Sequence, residues 1–297
     1  MANDLKVGFI GLGQMGMGMA LNILKNGHAL SVFDISDSAM KAIETHGAVV
    51  CESAAVLAQN CNLILLCLPS TDIVEAVLFG DEGILSADLA VTVIDTSTLN
   101  KQAAIDFAKR CQQRYVNYCD CPVSGLPQRA KEGTLTSMFG GNTDIFNNTR
   151  SLLECFSSTV VHCGDTGSGQ AMKTFNNIIY NINIAALCEV LPTAVASGLK
   201  PDALAEVTSS GSSSSFAANY FVPKMLNNTF TGDFTMDSAL KDLQNMTSMA
   251  AETGADMPLT LAMMQTYKEA IDAGFGAESK SAMLKVYERQ LGVLFRH

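Results

Sequence analysis

Three glycines near the N-terminus have the spacing of a pyrophosphate-binding turn. They lie in Gly11-Leu12-Gly13-Gln14-Met15-Gly16, directly after an apolar strand-like run and directly before an apolar helical one. Gly11 permits a tight turn, Gly13 lets the backbone approach a phosphate, and Gly16 lets the helix lie close to the strand. The first N–H groups of that helix then point at the anion. In this context the spacing predicts a dinucleotide site.

An acidic residue at the end of the second predicted strand indicates which dinucleotide is bound. Asp34 follows the run Ala29-Leu30-Ser31-Val32-Phe33 and lies 18 residues after Gly16. A carboxylate at this point accepts hydrogen bonds from the ribose hydroxyls of NAD and repels the 2′-phosphate of NADP. Because no Arg or Lys follows directly, NAD is the favoured cofactor and NADP the less favoured one. The alternative is that Asp34 only caps the next helix.

A lysine in the second half of the chain has the setting of a proton-exchanging residue. Lys173 and Asn177 are one helical turn apart and share a face, which Asn181 continues. This stripe either faces solvent or lines a cleft. No other charged residue follows Lys173 before Glu189, and the helix starts at the predicted domain junction. Both features favour the cleft, where a lysine acts as general acid or base.

Other candidates follow predicted strands. The N–H groups of Ser124 and Gly125, together with the Ser124 hydroxyl, could hold a carboxylate. Thr98 could hydrogen-bond near a nicotinamide, and Leu68-Pro69 could pack on the cofactor, since ligands of open α/β sheets lie at the carboxyl ends of the strands. Ordinary strand-end turns are the alternative for all of these positions.

The strand and helix pattern predicts the fold that would gather these residues. Short apolar strands alternate with helical stretches through the first half, which is typical of a doubly wound, mostly parallel sheet. From Gln170 to about Ser197 there is no Gly, and the rest of the chain has helical periodicity. We therefore expect a Rossmann domain at residues 1–164, followed by an all-α domain at residues 165–297 that is entered through a long interdomain helix.

Composition excludes several classes of partner. The net charge is −10 and there is no basic run, so neither nucleic acid nor an anionic membrane is an expected partner. No uninterrupted apolar stretch reaches membrane-spanning length, and no secretory leader is evident. The nine cysteines form no C-x-x-C pair, which favours a reduced, cytoplasmic location. The four histidines lack metal-ligand spacing, so no metal site is predicted.

Over essentially its whole length the chain resembles the β-hydroxyacid dehydrogenases, the family of 3-hydroxyisobutyrate dehydrogenase and 2-hydroxy-3-oxopropionate reductase. The stretches that carry the resemblance, besides the glycine turn, are Leu68-Pro69, Asp95-Thr96-Ser97-Thr98, Asp120 with Pro122-Val123-Ser124-Gly125, Gly133-Thr134-Leu135, the helix Gly167-x-Gly169-x-x-x-Lys173-x-x-Asn176-Asn177, and Lys241-Asp242-Leu243.

The resemblance implies an oxidoreductase that transfers a hydride between NAD and a small β-hydroxy acid or its semialdehyde. It also implies a homodimer or homotetramer built through the helical domain. The implied roles are catalysis for Lys173, orientation for Asn177, a carboxylate cradle for Ser124 and Gly125, nicotinamide and substrate contact for Thr98, cofactor contact for Lys241, and closure of the site by Phe234 and Asp242. From residue chemistry alone, a solvated helix face is the favoured interpretation of Lys241.

One departure from the family pattern bears on the substrate. Where the family has a second glycine after Ser124-Gly125, this chain has Leu126, followed by Pro127-Gln128-Arg129. Either the substrate head group sits differently, or Arg129 and Gln128 contact a more polar or more anionic group. The alternative is that Arg129 points to solvent.

Two other functions share this architecture. Imine reductases generally lack a lysine at the position of Lys173, so its presence favours hydroxyacid chemistry. A non-catalytic nucleotide-binding module would be expected to have lost that lysine or the carboxylate cradle, and to carry an extra domain.

Overall fold

A computed structural model describes residues 5–232, 234–240, 243 and 253–296. The chain forms two compact units, Met1–Lys173 and Thr174–His297. Each has its own apolar core.

The first unit is built on a nine-stranded sheet. Its strands are β1 (Val7–Ile10), β2 (Leu30–Phe33), β3 (Val49–Val50), β4 (Leu63–Leu66), β5 (Thr92–Asp95), β6 (Asn117–Asp120), β7 (Val123–Ser124), β8 (Leu135–Gly140) and β9 (Ser157–Gly164). Its helices are α1 (Gly16–Lys25), α2 (Asp37–Glu44), α3 (Ala54–Asn60), α4 (Thr71–Phe79), α5 (Lys101–Gln112), α6 (Pro127–Glu132) and α7 (Thr143–Leu153), with a 3₁₀ turn at Ile84–Ala87.

The sheet confirms the predicted doubly wound fold. Strands β1 to β6 are parallel in the order β3-β2-β1-β4-β5-β6, which is the Rossmann order. Strand β8 runs antiparallel to β6 and β7, and β9 runs parallel to β8. The chain leaves β1 and β4 in opposite directions, so a crevice opens between the loops that follow them. The sequence pattern predicts neither β7 nor α6, because both are short.

Burial on both faces explains why the central strands are continuous apolar runs. In β4, Leu63 and Leu65 belong to the core on one face, whereas Ile64 and Leu66 belong to the core on the other. Side-chain caps help to fix where the covering helices begin. The helices capped in this way are α2 by Ser36, α3 by Ser53, α4 by Ser70, α5 by Asn100 and α7 by Asn142.

The second unit is helical in its described part, as predicted. The 29-residue helix α8 (Ser168–Ala196) begins in the first unit and continues into the second. The further helices are α9 (Pro201–Ser210), α10 (Phe216–Leu226), α11 (Pro258–Ala270) and α12 (Leu284–Leu291), with helical residues at 236–240, a π-helical turn at Ile271–Phe275 and a 3₁₀ turn at Lys280–Met283. Their apolar faces share one core, which includes Ile184, Phe221 and Tyr267.

Helix α8 is long and apolar enough on average to resemble a membrane-spanning helix, although polar residues such as Asn181 and Glu189 interrupt its apolar stretch. An 18-residue window in it has a mean hydropathy of 1.5, and 39% of that window is buried. By length and composition alone the helix could cross a membrane, a property that core helices of soluble proteins share. Here Ile184, Cys188 and Leu191 lie in the core of the second unit.

Candidate active site

The glycine turn after β1 has the geometry that its spacing predicts. Gly11 has a φ of +99°, and a Cβ there would lie 2.3 Å from the carbonyl oxygen of Cys67. A Cβ on Gly16 would lie 1.9 Å from the carbonyl oxygen of Gly11, so the start of α1 must lie against the turn. A Cβ on Gly13, by contrast, would meet no described atom within 4 Å. The outer side of the turn is therefore open to a ligand, while its inner side is closed by backbone.

Helix α1 points its N-terminus toward this turn. Met15 precedes the helix and provides no side-chain cap, and there is no acidic residue in the first turn. The positive end of the helix dipole is therefore not neutralised by its own side chains, which suits the phosphates of a dinucleotide.

Asp34 lies at the end of β2 and braces the glycine turn. Its carboxylate accepts hydrogen bonds from the N–H of Leu12 at 2.5 Å and from the N–H of Ser36 at 2.8 Å. The cap of α2 is Ser36, whose hydroxyl accepts from the N–H of Ala39. Asp34 therefore has a different role from the helix cap that the sequence left open, and its partly buried carboxylate lies beside the turn.

The loops after β4 and β5 are joined by a serine. The Ser97 hydroxyl accepts from the N–H of Leu68 at 2.9 Å, and the Thr96 hydroxyl donates to the carbonyl of Leu66 at 2.6 Å. The predicted cofactor residues Leu68 and Pro69 are thus tied to the segment that carries Thr98. Thr98 itself is exposed, while both of its neighbours are buried.

The position of Thr98 depends on Gln170 in the first turn of α8. This glutamine is fully buried. Its side-chain oxygen accepts from the N–H of Leu99 at 2.9 Å, and its side-chain nitrogen donates to the carbonyl of Ser97 at 2.8 Å. The amide therefore fixes the backbone on both sides of Thr98.

A buried carboxylate holds the N-terminus of α8. The two oxygens of Asp120, the last residue of β6, accept from the N–H of Gly167 at 2.6 Å and from the N–H of Gln170 at 2.7 Å. Burial raises the pKa of Asp120 from 3.8 to about 6, and these backbone hydrogen bonds offset part of that rise. The charge lies where the helix dipole favours an anion.

Lys173 meets the predicted carboxylate cradle within the first unit. Its ammonium donates to the carbonyl oxygen of Val123 at 2.8 Å, directly before Ser124 and Gly125. The side chain is partly buried, so the predicted solvent-facing alternative does not describe it. Gly125 has a φ of +144°, and a Cβ there would lie 2.5 Å from a methyl group of Leu135. Glycine is therefore required at this point of the cradle.

The residues that depart from the family pattern form the start of α6. Leu126 has extended backbone angles that any residue adopts, so it introduces no strain where the family has glycine. Gln128 is exposed and donates to Glu132 at 2.6 Å, which directs it along the helix. Arg129 is partly buried and donates to the carbonyl oxygen of Thr134, so it does not simply point to solvent.

Two of the predicted site residues, Phe234 and Asn177, lie in the described part of the second unit, and each contacts different neighbours. Phe234 is 53% exposed, and the ammonium of Lys280 lies 5.5 Å from its ring centre. Asn177 is partly buried, and its carbonyl accepts from the side chain of Asn181 at 2.8 Å. Lys241 and Asp242 lie outside the described residues.

Asn181 is part of the core of the second unit. It is 1% exposed, and its side-chain oxygen accepts from the Tyr267 hydroxyl at 2.6 Å and from the Lys280 ammonium at 3.1 Å. The polar stripe that starts at Lys173 therefore ends in a buried hydrogen-bond cluster.

Three residues that organise this region were not among the predicted site residues: Ser97, Asp120 and Gln170. All three fall within the motifs that carry the family resemblance, but their role as braces depends on partners that are distant in sequence, about 30 positions away for Ser97 and about 50 to 70 for Asp120 and Gln170. Among the described residues, no three His, Cys, Asp or Glu side chains converge as metal ligands.

Comparison with known proteins identifies the family. The model of the NAD-binding domain of 6-phosphogluconate dehydrogenase matches residues 6–164. A second model, the NAD-binding domain of NADP-dependent 3-hydroxyisobutyrate dehydrogenase, matches residues 167–287. Together they cover the glycine turn, the cradle and the helix that carries Lys173, so an NAD-binding domain is present as predicted.

Relatives similar over nearly the full length are hydroxyacid dehydrogenases and reductases. The chain is 36% identical to 2-(hydroxymethyl)glutarate dehydrogenase of Eubacterium barkeri, covering 99% of this chain and 98% of that one. It is 32% identical to 2-hydroxy-3-oxopropionate reductase of Escherichia coli, covering 96% and 97%.

Similar solved structures indicate the same family. Mycobacterium tuberculosis 3-hydroxyisobutyrate dehydrogenase with L-serine has a TM-score of 0.84 at 27% identity, covering 95% of this chain and 98% of that one. An imine reductase from Myxococcus stipitatus has a TM-score of 0.63 at 17% identity, covering 95% and 99%, and so shares the fold alone. The chain therefore belongs to the β-hydroxyacid dehydrogenase family and is a nicotinamide-dependent oxidoreductase.

Proposed function

We propose that this enzyme oxidises the hydroxyl of a small β-hydroxy acid to the semialdehyde with NAD, or catalyses the reverse reduction. The observation that carries the proposal is the position of the Lys173 ammonium, 2.8 Å from the Val123 carbonyl oxygen and next to Ser124 and Gly125. A proton-exchanging cation and a carboxylate-binding turn are thereby combined in one place.

Each residue of this cluster has a role in the proposed reaction. Ser124 and Gly125 are assigned to the substrate carboxylate. Lys173 takes the hydroxyl proton during oxidation as the neutral amine and so becomes the ammonium, which returns the proton during reduction. When bound, the nicotinamide supplies the hydride acceptor for the carbon that carries the hydroxyl. Thr98, fixed by Gln170, contacts the reacting groups.

The remaining predicted residues complete the assignment through the family resemblance. Gly11 to Gly16, Leu68 and Pro69 hold the cofactor, and Lys241 contacts it. Asn177 orients the substrate and Lys173, and Phe234 and Asp242 are assigned to the substrate.

NAD is the proposed cofactor in preference to NADP because of Asp34. Its carboxylate is fixed beside the glycine turn by the N–H groups of Leu12 and Ser36. A fixed negative charge there accepts from ribose hydroxyls and opposes a 2′-phosphate.

A hydroxymethyl group next to a carboxylate is the proposed reacting centre. The relative from Eubacterium barkeri, at 36% identity, is named for a hydroxymethyl dicarboxylate. Lys173 and the intact cradle oppose the alternatives of an imine reductase and of a non-catalytic nucleotide-binding module.

We also propose a role for each domain, an oligomeric state and a cellular location for the enzyme. We assign residues 1–164 to cofactor binding and residues 165–297 to substrate and subunit contacts. Exposed apolar side chains on the second unit, Ile179 at 62% and Leu259 at 69%, support a homodimer or homotetramer. Nine free cysteines support a cytoplasmic location.

Replacement of Lys173 tests the proposed function. We expect Lys173→Ala to lower kcat about 10²- to 10⁴-fold, the usual contribution of a general acid or base. Formation of NADH from 3-hydroxy acids is followed by absorbance, and NAD affinity is measured by calorimetry. NAD affinity should change little. Lys109→Ala, which removes an exposed lysine of α5, is the matched control. Wild-type turnover by Lys173→Ala would show that the role is wrongly assigned.

A further inference from the structure

An arginine runs directly past the carboxylate cradle. A Cβ built on Gly125 would lie 3.3 Å from the Cβ of Arg129 and 3.5 Å from its Cδ. The guanidinium, which begins one bond beyond Cδ, is therefore a near neighbour of the turn that we assign to the substrate carboxylate. Lys173 reaches the same turn at the Val123 carbonyl. Two cations thus adjoin the cradle in a chain whose net charge is −10.

The guanidinium has hydrogen-bonding capacity beyond its one structural contact. Arg129 donates through one terminal nitrogen to the Thr134 carbonyl, and among the described residues no carboxylate lies within ion-pair distance. Arg110, Arg150 and Arg296, by contrast, each pair with a Glu. A guanidinium carries five N–H donors in a planar fork that fits a carboxylate in bidentate fashion. Among the described residues, Arg129 therefore has donors left for a ligand beside the turn that we assign to the substrate carboxylate.

Helix α6, which carries Arg129, is fixed in place. The buried side chain of Asn22 on α1 donates to the carbonyls of Ala130 at 2.8 Å and Lys131 at 3.1 Å. Gly18 lets the two helices approach closely, because a Cβ there would lie 2.8 Å from the backbone of Ala130. The arginine is therefore held at a defined distance from the cradle, as a specificity residue requires.

From these contacts we propose that Arg129 binds a second carboxylate of the substrate, so that the enzyme selects hydroxymethyl dicarboxylates over monocarboxylates. This inference rests on the proposed function, which supplies the first carboxylate at Ser124 and Gly125. The bidentate contact orients the far end of the substrate and leaves the hydroxymethyl group near Lys173.

Two compounds form a matched pair for the test. 3-Hydroxyisobutyrate and 2-(hydroxymethyl)glutarate share the hydroxymethyl group, the central carbon and the first carboxylate. They differ only where the methyl of the former is replaced by a two-carbon arm that ends in a second carboxylate. The ratio of their kcat/KM values therefore isolates recognition of that carboxylate.

We expect the wild-type enzyme to favour the glutarate, and Arg129→Met to lower the glutarate-to-isobutyrate ratio about 10- to 100-fold, the loss of one charge-assisted contact. The change should lie mainly in KM. Arg129→Lys, which keeps the charge but loses the fork, should give an intermediate ratio. Lys131→Met, which removes an exposed cation from the same helix, should leave the ratio unchanged.

The outcomes separate the two proposals. If the wild-type enzyme oxidises no hydroxy acid with either NAD or NADP, the proposed function is wrong. If it oxidises β-hydroxy acids without preferring the dicarboxylate, or if Arg129→Met and Lys131→Met give the same ratio, only the role of Arg129 is overturned. Because the wild-type preference is itself a readout, the inference stays testable even if Arg129→Met does not fold.

Discussion

Asp120 should make the stability of this protein depend on pH in an unusual direction. The carboxylate is buried at the end of β6 and holds the N–H groups of Gly167 and Gln170 at the start of the helix that carries Lys173. Asp120→Asn keeps the shape of the side chain and one acceptor oxygen but removes the charge. The variant therefore separates the titration of this group from its packing.

The sign follows from the direction of the pKa change. Burial raises the pKa of Asp120 from 3.8 to about 6 in the folded chain, so between these values the folded state binds the proton more tightly than the unfolded state. Stability from this group is therefore present at low pH and is lost as the pH rises toward and beyond 6. A carboxylate with a lowered pKa would give the opposite slope.

The magnitude can be worked out from the same values. A rise from 3.8 to about 6 corresponds to about 3 kcal/mol between fully protonated and fully ionised states. Between pH 5 and pH 8 the group contributes a loss of about 1.4 kcal/mol, since at pH 5 it is already largely ionised in the unfolded chain but still largely protonated in the folded one. For a unit of this size, that corresponds to a decrease in Tm of about 3 to 6 °C.

The assay is urea unfolding at several pH values, followed by circular dichroism because the chain has no Trp. Wild type and Asp120→Asn are compared at each pH, so that other titrating groups largely cancel. We expect the difference in free energy of unfolding to change by about 1.4 kcal/mol in favour of the variant from pH 5 to pH 8. Asp165→Asn, which changes an exposed aspartate of the turn before α8, is the control. Equal slopes for wild type and Asp120→Asn would refute the reasoning.

Two further variants test the braces of the site. Gln170→Leu should destabilise the first unit by about 2–4 kcal/mol, because the N–H of Leu99 and the carbonyl of Ser97 lose their buried partners. It should also lower kcat, and wild-type values of both unfolding free energy and kcat would contradict the role. Asp34→Ala should lower the NAD-to-NADP ratio of kcat/KM about tenfold or more, since it removes the charge that opposes a 2′-phosphate. An unchanged ratio, measured by steady-state kinetics with both cofactors, would exclude Asp34 as the selecting residue.

The sequence alone was sufficient to predict the doubly wound, mostly parallel sheet and the glycine turn after its first strand, because both are recognised from local patterns. The motif is local, because its apolar strand, its three spaced glycines and its apolar helix all lie within about twenty residues. The long helix α8 was also predictable within two residues at its start and one at its end, since the stretch from Gln170 to Ser197 has no Gly and a single Pro, the two residues that disfavour helix most. Strand β7 and helix α6 were missed because two and six residues carry too little periodicity.

What surrounds each candidate was decided by tertiary structure. Nothing in the spacing shows that Gln170 would be buried against the loop that carries Thr98, or that Asp120 would hold the start of α8, because these contacts join residues about 50 to 70 positions apart. The same holds for Asn181, which continues the stripe of Lys173 in sequence but lies in a core with Tyr267. A helical repeat determines which side chains share a face, whereas the elements packed against that face determine which of them remain accessible to a substrate.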